Sequence, residues 1–428
     1  MRYVVSFWFC LLGFTVWSYG LADPNIVFTS WQPYWVFQNW IWSLARTFPE
    51  WYTAVYVLLI GSLFWLSLQL KNWLQKFSKI SLTQTVLWFL LLISPLLFSY
   101  NALSHDVFNY LFNAKMVMVY HANPHVQTAL EFATDDWTRF MHNTHTPAPY
   151  GYGWTGLSLV PYLLGFGKFT WSWLVFRLFS VASLVLVFVA LQQLARRMGK
   201  KVSLSDAAVF FLNPLVLIEV VANSHNDLWM LAPALFGLSF LLARKRFSLG
   251  WRVGISLLLL AFSISIKYAT VTLLPVWLTI LALERFEAGS FGRLQARLHI
   301  PKRFLIVLTK GIWERVFRSL PYVAAVSLLL PLFTNQSQQY LPWYLTWSLV
   351  WLPLISARKW RRFWLVCSIA ALLRYVPWLY VGGYEEQTVQ WQKYISWGIP
   401  AVWLAWQSMG IKTKTENSSV LIGKTIDV

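Results

Sequence analysis

One loop concentrates the side chains of this chain that could move protons. Residues 104–153 hold Asp106, Glu131, Asp135 and Asp136 together with His105, His121, His125, His142 and His145, and close on Pro147-Ala148-Pro149-Tyr150-Gly151. Read as a helix from Asp106, the next residues set Asp106, Asn109, Tyr110 and Asn113 on one face and Val107, Phe108, Leu111 and Ala114 off it. The pattern predicts an amphipathic helix lying at the membrane surface with a carboxylate in its first turn. Two uses stay open for that carboxylate: general base, or stabiliser of the helix N-terminus through the macrodipole and the orphan amides.

A second polar cluster, Asn223-Ser224-His225-Asn226-Asp227, fills a turn that a bare hairpin would close with one or two residues. Ser224 and Asp227 fit a capping pair ahead of the apolar run 228–242. Capping leaves His225 and Asn226 unexplained, so the cluster is read as functional, with Glu219 one helical turn below it and expected in the same cavity. Lys267 stands between two short apolar runs with no acidic neighbour in sequence. A Lys at the centre of a membrane helix costs about 2.5–3.5 kcal/mol, so it needs a partner, a ligand, or a path along its own stem to the interface. Arg374 raises the same question. Two cations and at least two carboxylates converging on one face describe a site for an anionic substrate. The aromatic stretch 340–347, including Trp343 and Tyr344, reads mostly as an interfacial belt. Asn335-Gln336-Ser337 is a glycosylation sequon of a kind common by chance.

Those side chains must be positioned by helices in lipid. Of 428 residues, 57% are hydrophobic and 12% charged, against about 25% charged in soluble domains, which excludes a water-soluble fold. The expected class is an all-α polytopic membrane protein. About twelve spans are placed near 3–21, 51–70, 81–103, 169–195, 204–222, 227–243, 251–266, 269–284, 319–334, 343–357, 363–381 and 392–409. The stretch 154–167, with Pro161 and three glycines, is read as interfacial or re-entrant, and the Trp-rich stretch 22–50 as a helix in the headgroup region. The net charge of +19 follows topology rather than nucleic-acid binding: with the N-terminus inside, most of the 35 basic residues fall at cytoplasmic ends. Both termini are therefore expected in the cytoplasm, with the 104–153 loop and the 223–227 turn on the outer face of the plasma membrane. Residues 1–410 form one transmembrane domain and 411–428 a disordered cytoplasmic tail. The first span is read as uncleaved, because Leu21-Ala22-Asp23-Pro24 is a poor processing site. Cys10 and Cys367 lie in apolar runs and offer neither a disulfide framework nor a zinc site.

A set of motifs occurs in a familiar order: Pro95-Leu96-Leu97-Phe98-Ser99, His105-Asp106-Val107-Phe108-Asn109-Tyr110, Asn123-Pro124, Ala148-Pro149-Tyr150-Gly151, His225-Asn226-Asp227, Lys267 and Pro342-Trp343-Tyr344. Over roughly residues 90 to 350 the chain resembles bacterial polyprenol-phosphate-mannose-dependent alpha-mannosyltransferases of the GT-C superfamily. It departs from their pattern at His125, where the family usually has Tyr, and at Tyr152, where it usually has Pro; both departures bear on acceptor preference. The resemblance implies a GT-C type fold and inverting transfer of a hexose, mannose in that family, from a polyprenyl-phosphate donor to a glycan or glycolipid acceptor. It also implies Asp106 as the base, a role worth about 10²–10⁴ in rate, with Lys267 and Arg374 on the donor phosphate. His105, Asn109, Tyr110, Tyr150, His225, Asn226, Asp227, Trp343 and Tyr344 complete the expected substrate-binding set, and the aromatic surface would take the prenyl chain. No Asp-x-Asp stands in the loop, which argues against a metal while leaving a divalent cation open. A lipid-linked sugar flippase would place ionisable groups at mid-membrane within inverted repeats, and none is visible. A lipid-linked glycan polymerase or ligase differs in its donor.

Overall fold

The computed structural model describes residues 2–22, 29–77, 81–244, 246–298, 302–334 and 340–409. The sequon at Asn335 and the tail 411–428 lie outside the described residues. Every regular element among those described is helical. The first half runs α1 (Arg2–Ser18), α2 (Gln32–Thr47), α3 (Pro49–Leu74), α4 (Leu82–Ile93), α5 (Asp106–Val119), α6 (Tyr152–Leu164) and α7 (Phe169–Arg197). Then come α8 (Leu204–Phe211), α9 (Pro214–Ala222), α10 (Asp227–Leu241), α11 (Leu249–Ile266), α12 (Leu274–Leu298) and α13 (Lys302–Ser327). The chain ends through α14 (Leu345–Leu349), α15 (Arg358–Leu373), α16 (Val376–Val381), α17 (Glu386–Lys393) and α18 (Ile399–Ser408).

Seven helical stretches are long and apolar enough to cross a membrane, eight if the bent pair α8–α9 counts as one span, against the twelve expected. Much of the shortfall has a physical cause in proline. Proline lacks the amide that continues a helix, and it breaks several segments that composition alone reads as spans. The pair α8–α9 bends by 52° at Asn213-Pro214, where the Asn213 side chain accepts from the Leu215 amide at 3.0 Å. The expected span 343–357 folds instead as one short α-helix flanked by 3-10 turns that open at Pro342 and around Pro353. Residues 342–355 are buried throughout, which is where irregular backbone is tolerated at membrane depth. At 392–409 a π turn, Tyr394–Gly398, divides α17 from α18. Helix α6 has 13 residues and contains Pro161; at 1.5 Å per residue it reaches about 20 Å, short of the roughly 30 Å of hydrocarbon.

Helix α5 is not a surface helix. It packs against α6 and α7, and both its apolar residues Val107, Phe108 and Leu111 and its polar Asn109 and Tyr110 are buried. Burial on every side turns its polar face toward other protein groups.

Two devices fix the framework around α5. Arg177, inside α7 and fully buried, donates to the carbonyls of Ser99 at 2.7 Å and Val221 at 2.6 Å, to that of Ala222, and to Asn101 Oδ1 at 2.8 Å. One guanidinium thus ties the segment leading into α5 to the end of α9. Gly151 and Gly153 form the second device. The Gly151 amide donates to the Ile266 carbonyl at 3.1 Å, and a Cβ on Gly151 would lie 2.0 Å from the Ser265 carbonyl oxygen. Only glycine lets the start of α6 sit on the end of α11, and this contact sets Tyr150 beside Lys267.

Candidate active site

A cavity of about 490 Å³ opens between the ends of α2, α5 and α15–α17, and it carries Asp106, His105, Asn109, Trp343 and Arg374 on its wall. Arg46 from the last turn of α2 and Arg139 from the 120–150 loop line it as well. Another cavity, about 170 Å³ between α1, α3, α4, α7 and α8, has no ionisable group on its wall.

Asp106 opens α5, directly after its N-cap His105. Its carboxylate does not cap the helix. Tyr150 donates to Oδ2 at 2.6 Å and Tyr110 at 3.5 Å, and His225 Nδ1 lies 3.6 Å from the same oxygen. Oδ1 has no hydrogen-bond donor among the described residues, and the side chain keeps 17% exposure at the cavity. One oxygen is therefore anchored by protein while the other has no donor among the described residues, on a residue that lines the cavity. The remaining loop acids are spent elsewhere. Asp135 pairs with Lys115 and accepts from Tyr120 at 2.7 Å, Glu131 closes a capping box with Thr128, and Asp136 is exposed.

His105 is held on both nitrogens, by the Phe140 carbonyl at 3.2 Å and the Tyr100 hydroxyl at 3.3 Å, and its ring stacks on His142 at 3.8 Å. Desolvation, then the neighbouring His142, pushes its pKa down to about 3. A neutral imidazole fits those two partners, with Nδ1–H donating to the carbonyl and Nε2 accepting from Tyr100.

Behind Asp106 lies a fully buried layer. The His225 ring stacks on Trp343 at 3.9 Å, and its Nε2 sits 3.3 Å from Glu219 Oε2. Glu219 belongs to a π turn, Leu217–Ala222, that closes α9; π turns insert one residue and re-aim side chains, and they recur at functional sites. Its carboxylate also accepts from Asn223 Nδ2 at 3.0 Å and from the Tyr375 hydroxyl at 2.9 Å. The Ser224 and Asp227 capping pair does not form: Ser224 sits at φ 60°, its hydroxyl has no partner among the described residues, and α10 has no side-chain cap. Asp227 instead receives Lys267 Nζ at 2.7 Å and the Trp347 indole on the same oxygen. Lys267 neither snorkels nor reaches the cavity wall. Its ammonium lies 5.1 to 5.4 Å from the ring centres of Tyr150, Trp347 and Tyr344, a range in which a desolvated cation–π contact contributes about 0.5–2 kcal/mol. Asn226 is fully buried and its amide finds no partner among the described residues.

The structure therefore brings the expected residues together in two layers. His105, Asp106, Asn109, Trp343 and Arg374 meet at the cavity, while Tyr110, Tyr150, His225, Asn226, Asp227, Lys267 and Tyr344 stand behind it. Sequence reasoning missed Arg46 and Arg139, whose positions look like ordinary interfacial charge, and Arg177. A lone arginine inside an apolar run was the available signal for the last. Among the described residues no group of three or more His, Cys, Asp or Glu side chains has the spacing of a metal site.

A family model described as alpha-(1->6)-mannopyranosyltransferase, N-terminal domain, matches residues 14–283, more than half of the chain. No curated protein and no solved structure matches it.

Proposed function

Because the chain belongs to the alpha-(1->6)-mannopyranosyltransferase family, we propose that its cavity transfers mannose, with inversion, from a polyprenyl-phosphate donor to a glycan or glycolipid acceptor on the non-cytoplasmic face of the membrane. The observation that carries this reading is Asp106: alone among the acids of its loop it reaches the cavity, with one oxygen anchored and the other open. The acceptor hydroxyl gives its proton to Asp106 Oδ1 as its oxygen bonds to the sugar C1. The bond from C1 to the phosphate oxygen breaks, and the electron pair leaves with the lipid phosphate. Removing that proton in the transition state is worth about 10²–10⁴ in rate.

The leaving phosphate gathers charge, and Arg46, Arg139 and Arg374 on the same wall oppose it. Guanidinium forks suit a phosphate better than the caged Lys267 does. Asn109 Oδ1 and Trp343 Nε1, both on wall residues and without partners among the described residues, are the polar atoms for sugar hydroxyls. An apolar groove formed by Val366, Ile369, Trp391, Tyr394 and Trp403, whose Trp391 is next in the chain to the cavity residue Gln392, takes the prenyl chain.

The test is Asp106→Asn in proteoliposomes with polyprenyl-phosphate mannose and a synthetic mannoside. Transfer falls at least about 10²-fold while donor binding persists. Near-normal turnover removes Asp106 from the role.

A further inference from the structure

The apolar cavity of about 170 Å³ between α1, α3, α4, α7 and α8 takes no part in the reaction as described. Thr85 brings the one hydroxyl on its wall, and that group already donates to the Ser81 carbonyl at 2.9 Å. Apolar cavities of about 150 Å³ stay dry and admit apolar guests. Phe77 and Trp88 on the wall are exposed, so the cleft opens to the outside of the helix bundle. It lies far from the base. Val4, near the start of α1, lines the cleft, while Leu21 and Ala22, just past the end of α1, line the catalytic cavity; at 1.5 Å per residue the two are roughly 25 Å apart.

Cations gather beside this cleft. Leu70, Trp73, Leu74 and Phe77 bring the last turns of α3 to its wall, and Lys71 and Lys76 are interleaved with them. Across from them, Leu204, Ala207 and Ala208 of α8 flank Asp206 in the chain, and its carboxylate receives Arg361 at 2.7 Å and the Ser203 hydroxyl at 2.6 Å. The charges that act on Lys71 are those of Arg358, Arg361 and Arg362 and, with the opposite sign, Asp206. Four cations thus share one acid, which Arg361 already holds. Arg358 and Arg362 are exposed at the start of α15, and neither they nor Lys71 has an ion-pair partner among the described residues. Arg374 follows the other end of that 16-residue helix, about 24 Å away. Membrane topology accounts for the sign of these charges. It does not account for their convergence beside an apolar cleft, where they repel one another unless an anion joins them.

We propose that the cleft binds one phospholipid with an anionic headgroup, its acyl chain in the apolar space and its phosphate among Lys71, Arg358 and Arg362. A free phosphate would leave the cleft unfilled, and an uncharged lipid would leave the cations unmatched. Each cation near a headgroup favours the anionic lipid about fivefold. The proposal stands apart from mannose transfer, since no residue of the catalytic cavity takes part in it.

The test titrates the full chain, purified in an uncharged detergent, with phosphatidylglycerol and with phosphatidylcholine of identical acyl chains, and counts bound lipid by native mass spectrometry. Wild type is expected to hold one saturable phosphatidylglycerol at least about tenfold more tightly than phosphatidylcholine. Arg358→Gln with Arg362→Gln loses most of that preference and keeps its phosphatidylcholine affinity. Ala208→Phe fills the cleft and weakens both lipids at least about tenfold, since the displaced chain loses its buried methylenes. Val185→Phe fills it from α7 should Ala208→Phe fail to accumulate in membranes. Equal affinity for the two lipids overturns the proposal, as does a filled cleft that still holds phosphatidylglycerol like wild type. Tighter binding of polyprenyl phosphate than of phosphatidylglycerol overturns it too, by making the cleft a carrier site. No readout uses turnover, so failure here leaves the mannose-transfer reading untouched.

Discussion

Lys267 and Asp227 are nearly out of solvent, at 8% and 0% side-chain exposure, and 2.7 Å apart, so each neutralises a charge that would otherwise be stranded. Lys267→Met leaves Asp227 with the Trp347 indole as its remaining donor. Breaking a buried pair by removing one partner costs about 3–5 kcal/mol, enough to unfold many domains. Asp227→Asn strands the ammonium instead, but three aromatic faces surround it, and contacts of about 0.5–2 kcal/mol each offset part of the loss. That variant is therefore the milder of the two. The double variant removes both charges, and replacing a buried pair by neutral groups is often neutral or stabilising, so it recovers most of the stability. Thermal unfolding of all four proteins in nanodiscs closes the cycle, with donor KM measured on the survivors. Since Lys267 stands off the cavity wall, the double variant keeps the wild-type donor KM and loses kcat through a loosened Tyr150. Two results refute the reasoning: a double variant as unstable as Lys267→Met, or one that is stable yet binds donor ten times more weakly, which would put Lys267 on the phosphate.

Arg374→Lys keeps the charge and loses the planar fork, so donor KM rises about tenfold with a smaller change in kcat, read by steady-state kinetics. Arg177→Met orphans the carbonyls of Ser99, Val221 and Ala222, each left unsatisfied at a cost of about 1–3 kcal/mol, seen as a lower unfolding temperature. Gly151→Ala drives a methyl into the Ser265 carbonyl, an overpacking that costs at least about 1–3 kcal/mol and uncouples Tyr150 from Asp106; stability and activity fall together. His105 has its folded pKa depressed to about 3, so the unfolded chain binds its proton first, and stability drains as pH falls from about 6.5 toward 3. His105→Asn flattens that stretch of the stability-against-pH curve.

The all-helical class and the grouping of several polar residues were legible in the sequence; their depth and the breaks in the helices were not. Asp106 begins a helix where the 3.6-residue spacing placed it; His225 and Tyr150 lie against it, and Lys267, paired with Asp227, stands over the Tyr150 ring. What the spacing could not show is depth. An amphipathic pattern says that Asn109 and Tyr110 share a face, but not that the face turns inward. Lys267 has no acid nearby in sequence because its partner lies on α10, and side-chain type alone does not distinguish a caged ammonium from one that meets a ligand. Arg177 was hidden for a related reason: most of its acceptors are backbone carbonyls contributed by distant segments, which leave no trace in residue identity. The breaks at prolines were not legible, since hydropathy windows sum over Pro214, Pro342 and Pro353 as though the helix ran on.

The Arg177 clamp ties one side of the cavity together through a single side chain. The run into α5 and the turn after α9 hang from one guanidinium on α7, so Asp106 and His225 travel together if they travel at all. On the opposite side, Arg46 stands at the exposed end of α2 and Arg374 donates to Ser396, in the π turn before α18, at 3.3 Å. The half of the wall that carries Asp106 is thus braced through one buried side chain, and loss of that side chain would disturb the base and the layer behind it together.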